Sequence, residues 1–120
     1  MNDGSYKAQF GTAPSSPLLK LDDALHFCHD NGAGEIIFHH TARDGTRSGF
    51  DKDFFATHTL MTNLPTIALG GGSTGADLQR LFKVSYVAGA ALGSSLIYAP
   101  NTRQVLINYN QFKSSVFKDT

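Results

Sequence analysis

Three adjacent glycines at residues 70–72, followed by Ser73 and Thr74, form the stretch of this chain best suited to bind a ligand. They come directly after the apolar segment 65–69 and open a segment with the pattern of a helix. A strand that ends in glycines and leads into a helix presents unpaired backbone N–H groups, and the helix dipole adds partial positive charge there. The stretch therefore predicts a phosphate-binding loop, with a flexible turn as the alternative.

Two further polar corners flank the glycines in the sequence. Upstream, Arg43 and Asp44 lead into Gly45, which is typical of a polar loop at the end of a strand. Downstream, a corner at residues 93–95 follows a short apolar run, with Gly89 as the alternative position for that corner. The spacing of the three corners is that of repeated βα units.

The composition is that of a small globular domain. A chain of 120 residues with 41% apolar residues can bury one modest core. Ten basic and ten acidic residues give zero net charge, which argues against a nucleic-acid or membrane-surface role driven by charge. Cys28 is the sole cysteine, so no internal disulfide can form. We expect a cytoplasmic protein, because the start lacks signal-peptide features and no apolar run approaches the roughly 20 residues that span a bilayer.

Hydrophobic periodicity divides the chain into alternating strands and helices. Asp51 is the expected cap of the second helix, and Thr74 with Asp77 has the spacing of a capping box that starts the third. We predict strands at residues 6–10, 34–38, 66–69, 90–92 and 103–109, and helices at residues 18–31, 52–60 and 77–83.

This order predicts an α/β fold with a parallel sheet. The first strands are about 30 residues apart, which is the length of a βα repeat, and short continuous apolar strands are typical of parallel sheets covered on both faces. Three to four such units amount to about half of a (β/α)8 TIM barrel, which needs ~250 residues. We divide the chain into a hairpin remnant and loop at residues 1–17, βα units at residues 18–98 and a C-terminal extension at residues 99–120.

The order and spacing of three motifs resemble the cyclase subunit of imidazole glycerol phosphate synthase, the HisF-like family. The motifs are GAGEI at residues 32–36, RDGT at residues 43–46 with SGFD at residues 48–51, and LP followed by glycines at residues 64–71. The similarity covers roughly residues 18–98, in the order found in the C-terminal half of that family's barrel. It implies a TIM barrel of the ribulose-phosphate-binding type, of which this sequence resembles strands six to eight.

The resemblance also implies an activity. In that family, ammonia from a glutaminase partner reacts with a bis-phosphorylated ribulosyl formimino carboxamide nucleotide, which is cleaved and cyclised to imidazole glycerol phosphate in histidine biosynthesis. The two aspartates that carry out the acid–base chemistry end the first and fifth strands, outside the matched part, so we expect this chain to be inactive by itself. We expect a truncated or split fragment that keeps the phosphate-binding half.

The resemblance assigns a phosphate site but no catalytic residue. Asp44 would line the mouth of the active site. The residues that would hold a substrate phosphate are Gly45, Gly70, Gly71, Gly93 and Ser94. The loops after strands seven and eight commonly bind phosphate in such barrels, and backbone N–H groups can do so without a basic side chain. No cofactor and no metal are expected.

Adjacent histidines, His39 and His40, stand where the family usually has small hydroxyl residues. Neighbouring side chains on a strand point to opposite faces, so an active-site polar role for one of them is favoured over a shared metal. Ala42 and Leu69 replace an acidic residue and a serine that are usual in the family, which alters the mouth of the barrel. We interpret Arg43 as a structural residue that pairs with a neighbouring carboxylate.

Three interpretations of function stay open. The first is a cyclase fragment that works with a glutamine amidotransferase subunit. A variant of it is a related HisF-like subunit that amidates a surface-glycan sugar, because residues 105–109 of this chain resemble the tail of those subunits. The second is a non-catalytic phosphate-binding half-barrel that pairs with itself or a complementary half, because open sheet edges and an exposed apolar interior favour association. The third is a remnant that does not fold alone. Neither a nucleic-acid nor a membrane partner is expected.

Overall fold

The computed structural model describes residues 6–9, 11–98 and 104–105 of the chain. Its backbone divides into two compact units, Met1–Gly34 and Glu35–Thr120. The predicted strand at residues 103–109 lies outside the described residues, apart from Gln104 and Val105.

The first unit is a short hairpin followed by a helix. Strand β1 (Lys7–Gln9) pairs antiparallel with β2 (Leu18–Lys20), and helix α1 (Leu21–Asp30) follows β2 directly. The strand predicted at residues 6–10 is confirmed, but the predicted start of the helix at residue 18 is wrong. Leu18–Lys20 belong to the hairpin because their backbone pairs with β1, and the apolar stripe that favours a helix begins only at residue 21.

Helix α1 ends where the sequence predicts. The Asn31 side chain donates to the Phe27 carbonyl at 2.8 Å, and Gly32 turns the backbone with a φ of 80°. The N–H groups of Gly32 and Ala33 then bond back to carbonyls of the last helical turn, which is the usual form of a glycine-terminated helix.

The second unit contains a three-stranded parallel sheet in the order β3-β4-β5, which confirms the predicted α/β class and the parallel direction. The strands are β3 (Ile36–His39), β4 (Thr66–Leu69) and β5 (Gly89–Ala91). The helices are α2 (Lys52–His58), a 3-10 turn (Thr59–Met61), α3 (Gly75–Val84) and α4 (Ser94–Ile97). Gly89 lies within β5 and Gly93 caps α4, so the last predicted corner falls at Gly93.

One face of the sheet carries the core of this unit. Phe38 of β3 packs edge-to-face against Phe54 of α2, with ring centroids 5.7 Å apart, and Phe55 is fully buried. The opposite face is open in the described part of the chain, since Ile37 is 58% exposed and its neighbour Ile67 is only half-buried. The expectation of a sheet covered on both faces is therefore wrong for these residues, because the open face keeps Ile37 largely exposed.

Two further observations concern the segment after α4 and the character of the helices. Tyr98 and Val105 form an isolated antiparallel bridge just beyond α4. Among the residues that the structure describes, no helix combines the length and apolar character needed to cross a bilayer.

Candidate functional site

Three loops begin side by side at the carboxyl edge of the parallel sheet. The register pairs His39 with Leu69 and Leu69 with Ala91, so β3, β4 and β5 end level with one another. The loop of residues 40–51 follows β3, the glycine loop of residues 70–74 follows β4, and residues 92–93 connect β5 to α4. All predicted site residues lie on these loops or at the first residue of α4, at the edge where parallel α/β sheets bind ligands.

Direct contacts join the three loops. The His40 N–H donates to the Leu69 carbonyl at 2.8 Å, and the Gly49 N–H donates to the Gly71 carbonyl at 2.7 Å. Gly72 sits against the side chains of Phe50 and Leu92, and a Cβ built on it would lie 2.5 Å from Phe50 Cζ. The glycine loop therefore packs between the loops on either side of it.

The conformations of Gly70 and Gly71 explain why both are glycine. Their φ angles are 114° and 86°, a region that other residues rarely adopt. A Cβ on Gly70 would lie 2.6 Å from the His40 carbonyl oxygen, and one on Gly71 would lie 2.5 Å from the Gly49 carbonyl oxygen. Close approach of the preceding loop therefore requires these glycines, a reason that the sequence pattern did not reveal.

The start of α3 is closed by the predicted capping box. Thr74 Oγ1 accepts from the Asp77 N–H at 3.2 Å, while Asp77 Oδ2 accepts from the N–H groups of Thr74 at 3.1 Å and Ser73 at 3.2 Å. Arg80 Nη2 lies 3.2 Å from the other carboxylate oxygen. Asp77 thus satisfies part of the helix terminus that a bound anion would otherwise use.

Several backbone amides around these corners make no hydrogen bond within the described part of the chain. Within the described residues no acceptor is found for six backbone N–H groups, those of Gly71, Gly72, Gly75, Ala76, Gly93 and Ser94. Gly71, Gly72 and Gly75 are buried as residues, whereas Gly93 is exposed. Such a set of amides offers hydrogen-bond donors to a phosphate without any basic side chain.

Asp51 holds the loop after β3 in shape. Its Oδ1 accepts from the Phe54 N–H at 3.1 Å and so caps α2, as predicted. Its Oδ2 lies 3.2 Å from His40 Nε2, with both side chains about 85% buried, and 3.9 Å from Arg43 Nε. Arg43 Nη1 also donates to the Gly49 carbonyl at 3.3 Å, and the contact of Arg43 with Asp51 confirms the predicted pairing with a neighbouring carboxylate. The double contact of Asp51 with His40 and the helix start was not predicted.

His39 points to the other face of the sheet and contacts Asp44. His39 Nε2 lies 2.9 Å from Asp44 Oδ2, and the two side chains are 44% and 53% exposed. The predicted opposite orientation of the two histidines is confirmed, because His40 is buried against Phe54. Sequence reasoning placed Asp44 near the site but missed its bond to His39, which forms because the loop folds back and Gly45 adopts a φ of 74°.

The predicted phosphate ligands are brought together in part. Gly70 and Gly71 lie beside the corner that contains Gly93 and Ser94, as the contact of Gly72 with Leu92 requires. Gly45 lies instead at the exposed tip of its loop, where a Cβ would meet nothing within 4 Å. In the described part of the chain, no three His, Cys, Asp or Glu side chains are grouped to hold a metal ion.

The sequence is similar to that of known proteins. A family model described as "Histidine biosynthesis protein" matches residues 11–102. The imidazole glycerol phosphate synthase subunit HisF of Alkaliphilus metalliredigens is 39% identical over 96 residues, which are 80% of this chain and 38% of that protein. The subunits of the same name from Clostridium beijerinckii and Chlorobium phaeobacteroides are 42% identical over 67 residues and 37% identical over 79 residues. These matches cover 56% and 63% of this chain and 26% and 31% of the two relatives. The chain spans about a third of the length of the curated relatives it matches.

Proposed function

This chain belongs to the histidine biosynthesis protein family as a HisF-like member, and we propose that it serves an imidazole glycerol phosphate synthase as its cyclase component. The proposed reaction is the ammonia-dependent cleavage and cyclisation of a bis-phosphorylated ribulosyl formimino carboxamide nucleotide. A glutaminase partner subunit supplies the ammonia. The residues of this chain hold one phosphate of that substrate.

The observation that carries the proposal is that two glycine corners with unpaired backbone amides lie next to each other. The glycine loop after β4 and the corner after β5 lie side by side, and the amides of Gly71, Gly72, Gly93 and Ser94 have no acceptor among the described residues. A doubly charged phosphate needs several donors at once, and N–H groups fixed by the backbone supply them without reorganisation. The neighbouring start of α3 adds the favourable end of a helix dipole.

The open face of the sheet supports the barrel as the architecture of the whole protein. Ile37, Ile67 and Leu69 form an apolar surface that is exposed or half-buried in the described residues. In a (β/α)8 barrel the strand face opposite the helices fills the interior with branched apolar side chains. The substrate then binds at the carboxyl edge, where the three loops lie.

Gly93→Asp tests the phosphate site with little disturbance of the fold, because Gly93 has a negative φ and a Cβ there meets nothing within 4 Å. The carboxylate would repel a phosphate held by the neighbouring amides, and we expect at least about tenfold weaker binding, or ~1.4 kcal/mol. Isothermal titration with ribose 5-phosphate measures the affinity. Gly93→Asn is the matched control, since it adds the same volume without the charge.

Two outcomes count against this site. If ribose 5-phosphate shows no binding to the wild-type chain, the proposed phosphate site is absent. If Gly93→Asp and Gly93→Asn bind as tightly as the wild type, the anion lies elsewhere. Circular dichroism of both variants ensures that a loss of binding does not come from a loss of structure.

A further inference from the structure

The pair formed by His39 and Asp44 lies at the same edge of the sheet as the glycine loops. His39 is the last residue of β3 and is level with Leu69, the residue that precedes the glycines. Its side chain is on the open face of the sheet, because its neighbours Phe38 and His40 are turned toward the core around Phe54. The pair is therefore accessible from the side on which a ligand would approach.

The hydrogen bond to Asp44 fixes which nitrogen of the His39 ring can act as a base. An ionised carboxylate only accepts hydrogen bonds, so the proton of the neutral ring resides on Nε2, which lies 2.9 Å from Asp44 Oδ2. The lone pair is then on Nδ1, for which the structure provides no partner among the described residues. A ring held in one tautomer by a carboxylate is the arrangement in which histidine serves as a proton acceptor.

The other histidines of the chain lack this combination of features. His26 and His29 lie on the surface of α1 beside Asp22 and Asp30, and both histidine side chains are at least 70% exposed. His40 is buried with Asp51. The His58 ring stacks on Phe54, and its Nδ1 lies 2.8 Å from that residue's carbonyl oxygen. Among the histidines, only His39 combines a fixed tautomer and an accessible Nδ1 with a position at the carboxyl edge of the sheet.

We propose that His39, oriented by Asp44, accepts a proton from a hydroxyl or N–H group of the phosphorylated ligand that the glycine corners hold. The proton moves to Nδ1, its electron pair stays on the ligand, and the imidazolium that forms is stabilised by the Asp44 carboxylate through the retained Nε2–H bond. Asp44 is a positioning residue and does not itself take up the proton. This inference rests on the proposed function, because the phosphate site supplies the ligand.

Chemical modification of the wild-type chain tests the proposal without relying on the folding of a variant. Diethyl pyrocarbonate modifies accessible neutral imidazoles, and mass spectrometry reports the rate at each histidine. With ribose 5-phosphate at ten times its dissociation constant, we expect about tenfold protection of His39. His26 and His29, which lie on α1, are the internal controls and should show no protection.

A second measurement tests the role of Asp44. Long-range proton–nitrogen NMR spectra of the wild-type chain should show the His39 ring protonated at Nε2, and Asp44→Asn should reduce that preference. Two failures are distinguishable. If calorimetry detects ribose 5-phosphate binding but His39 is not protected, the role of His39 is refuted while the phosphate site stands. If the wild-type chain does not bind the ester, both proposals are refuted.

Discussion

Asp51→Ala removes three interactions at once from the loop that follows β3. The substitution deletes the cap on the Phe54 N–H, the contact with His40 Nε2 at 3.2 Å and the longer contact with Arg43 at 3.9 Å. Asp51 and His40 keep only 15% and 13% of their side chains exposed, so water screens their interaction poorly. We therefore expect a larger effect here than at the exposed ion pairs of this chain.

The expected loss follows from these contacts. Removing a helix cap costs about 1 kcal/mol, and losing the contact of Asp51 with His40, which is within ion-pair distance but lacks hydrogen-bond geometry, costs about another 1 kcal/mol. The Arg43 contact adds little at 3.9 Å on a partly exposed side chain. The free energy of unfolding should therefore fall by about 2 kcal/mol. Asp51→Asn should lose only about half of this, because asparagine caps a helix as well as aspartate does but carries no charge.

Urea unfolding at neutral pH, followed by circular dichroism, measures these differences if the slope against denaturant stays constant. Asp30→Ala is the control, since its pair with His29 leaves both side chains more than 70% exposed and should change stability by less than about 0.5 kcal/mol. The reasoning is refuted if Asp51→Ala unfolds within 0.5 kcal/mol of the wild type. Equal losses for Asp51→Ala and Asp51→Asn would show that the helix cap has no role.

Three further substitutions separate backbone geometry, capping and core packing, each measured by the midpoint of thermal unfolding. Gly71→Ala should destabilise the fold by about 2–4 kcal/mol, because of its φ of 86° and the Gly49 carbonyl 2.5 Å from the new Cβ, whereas Gly93→Ala should cost much less. Thr74→Ala should cost about 1 kcal/mol through loss of the cap on α3, and Thr74→Ser should restore most of it. Phe55→Ala should cost about 3–5 kcal/mol, since Phe55 is fully buried, and a smaller loss would contradict the described core.

Much of the second unit could be predicted because its signals are local. The strand Thr66–Leu69 is a short apolar run ended by glycine, and the caps at Asp51 and Thr74 depend on residues only three positions apart. Parallel pairing followed from the regular alternation of strands and helices. These features need no knowledge of distant contacts, and the structure confirms them.

The differences arise where a distant segment decides the local structure. Leu18–Lys20 became a strand because β1 pairs with them, although they precede a helical pattern directly. Helix α2 ends at His58 and is followed by a 3-10 turn at Thr59–Met61, where Thr59 Oγ1 accepts from the distant Tyr86 N–H at 3.2 Å. Such a hydrogen bond depends on tertiary packing, which periodicity does not report.

The sequence predicted where the candidate site lies better than it predicted the contacts within that site. The sequence placed the glycine loop and the Gly93 corner at one sheet edge, and the parallel register agrees with that placement. It did not predict that Gly70 and Gly71 are required by the neighbouring loop, or that Asp44 would bond to His39. Both depend on how residues 40–51 fold over the strand ends, and a loop of that length has no periodic signal.

The central claim is that the amides of the two glycine corners bind the phosphate of a ligand. Titration of the isotope-labelled chain with ribose 5-phosphate, followed by the amide resonances, tests it directly. We expect the largest saturable shifts at Gly71, Gly72, Gly93 and Ser94, with little change at Gly32, which lies in the turn after α1. Saturable shifts confined to other residues, or no shifts at millimolar ester, would contradict the claim.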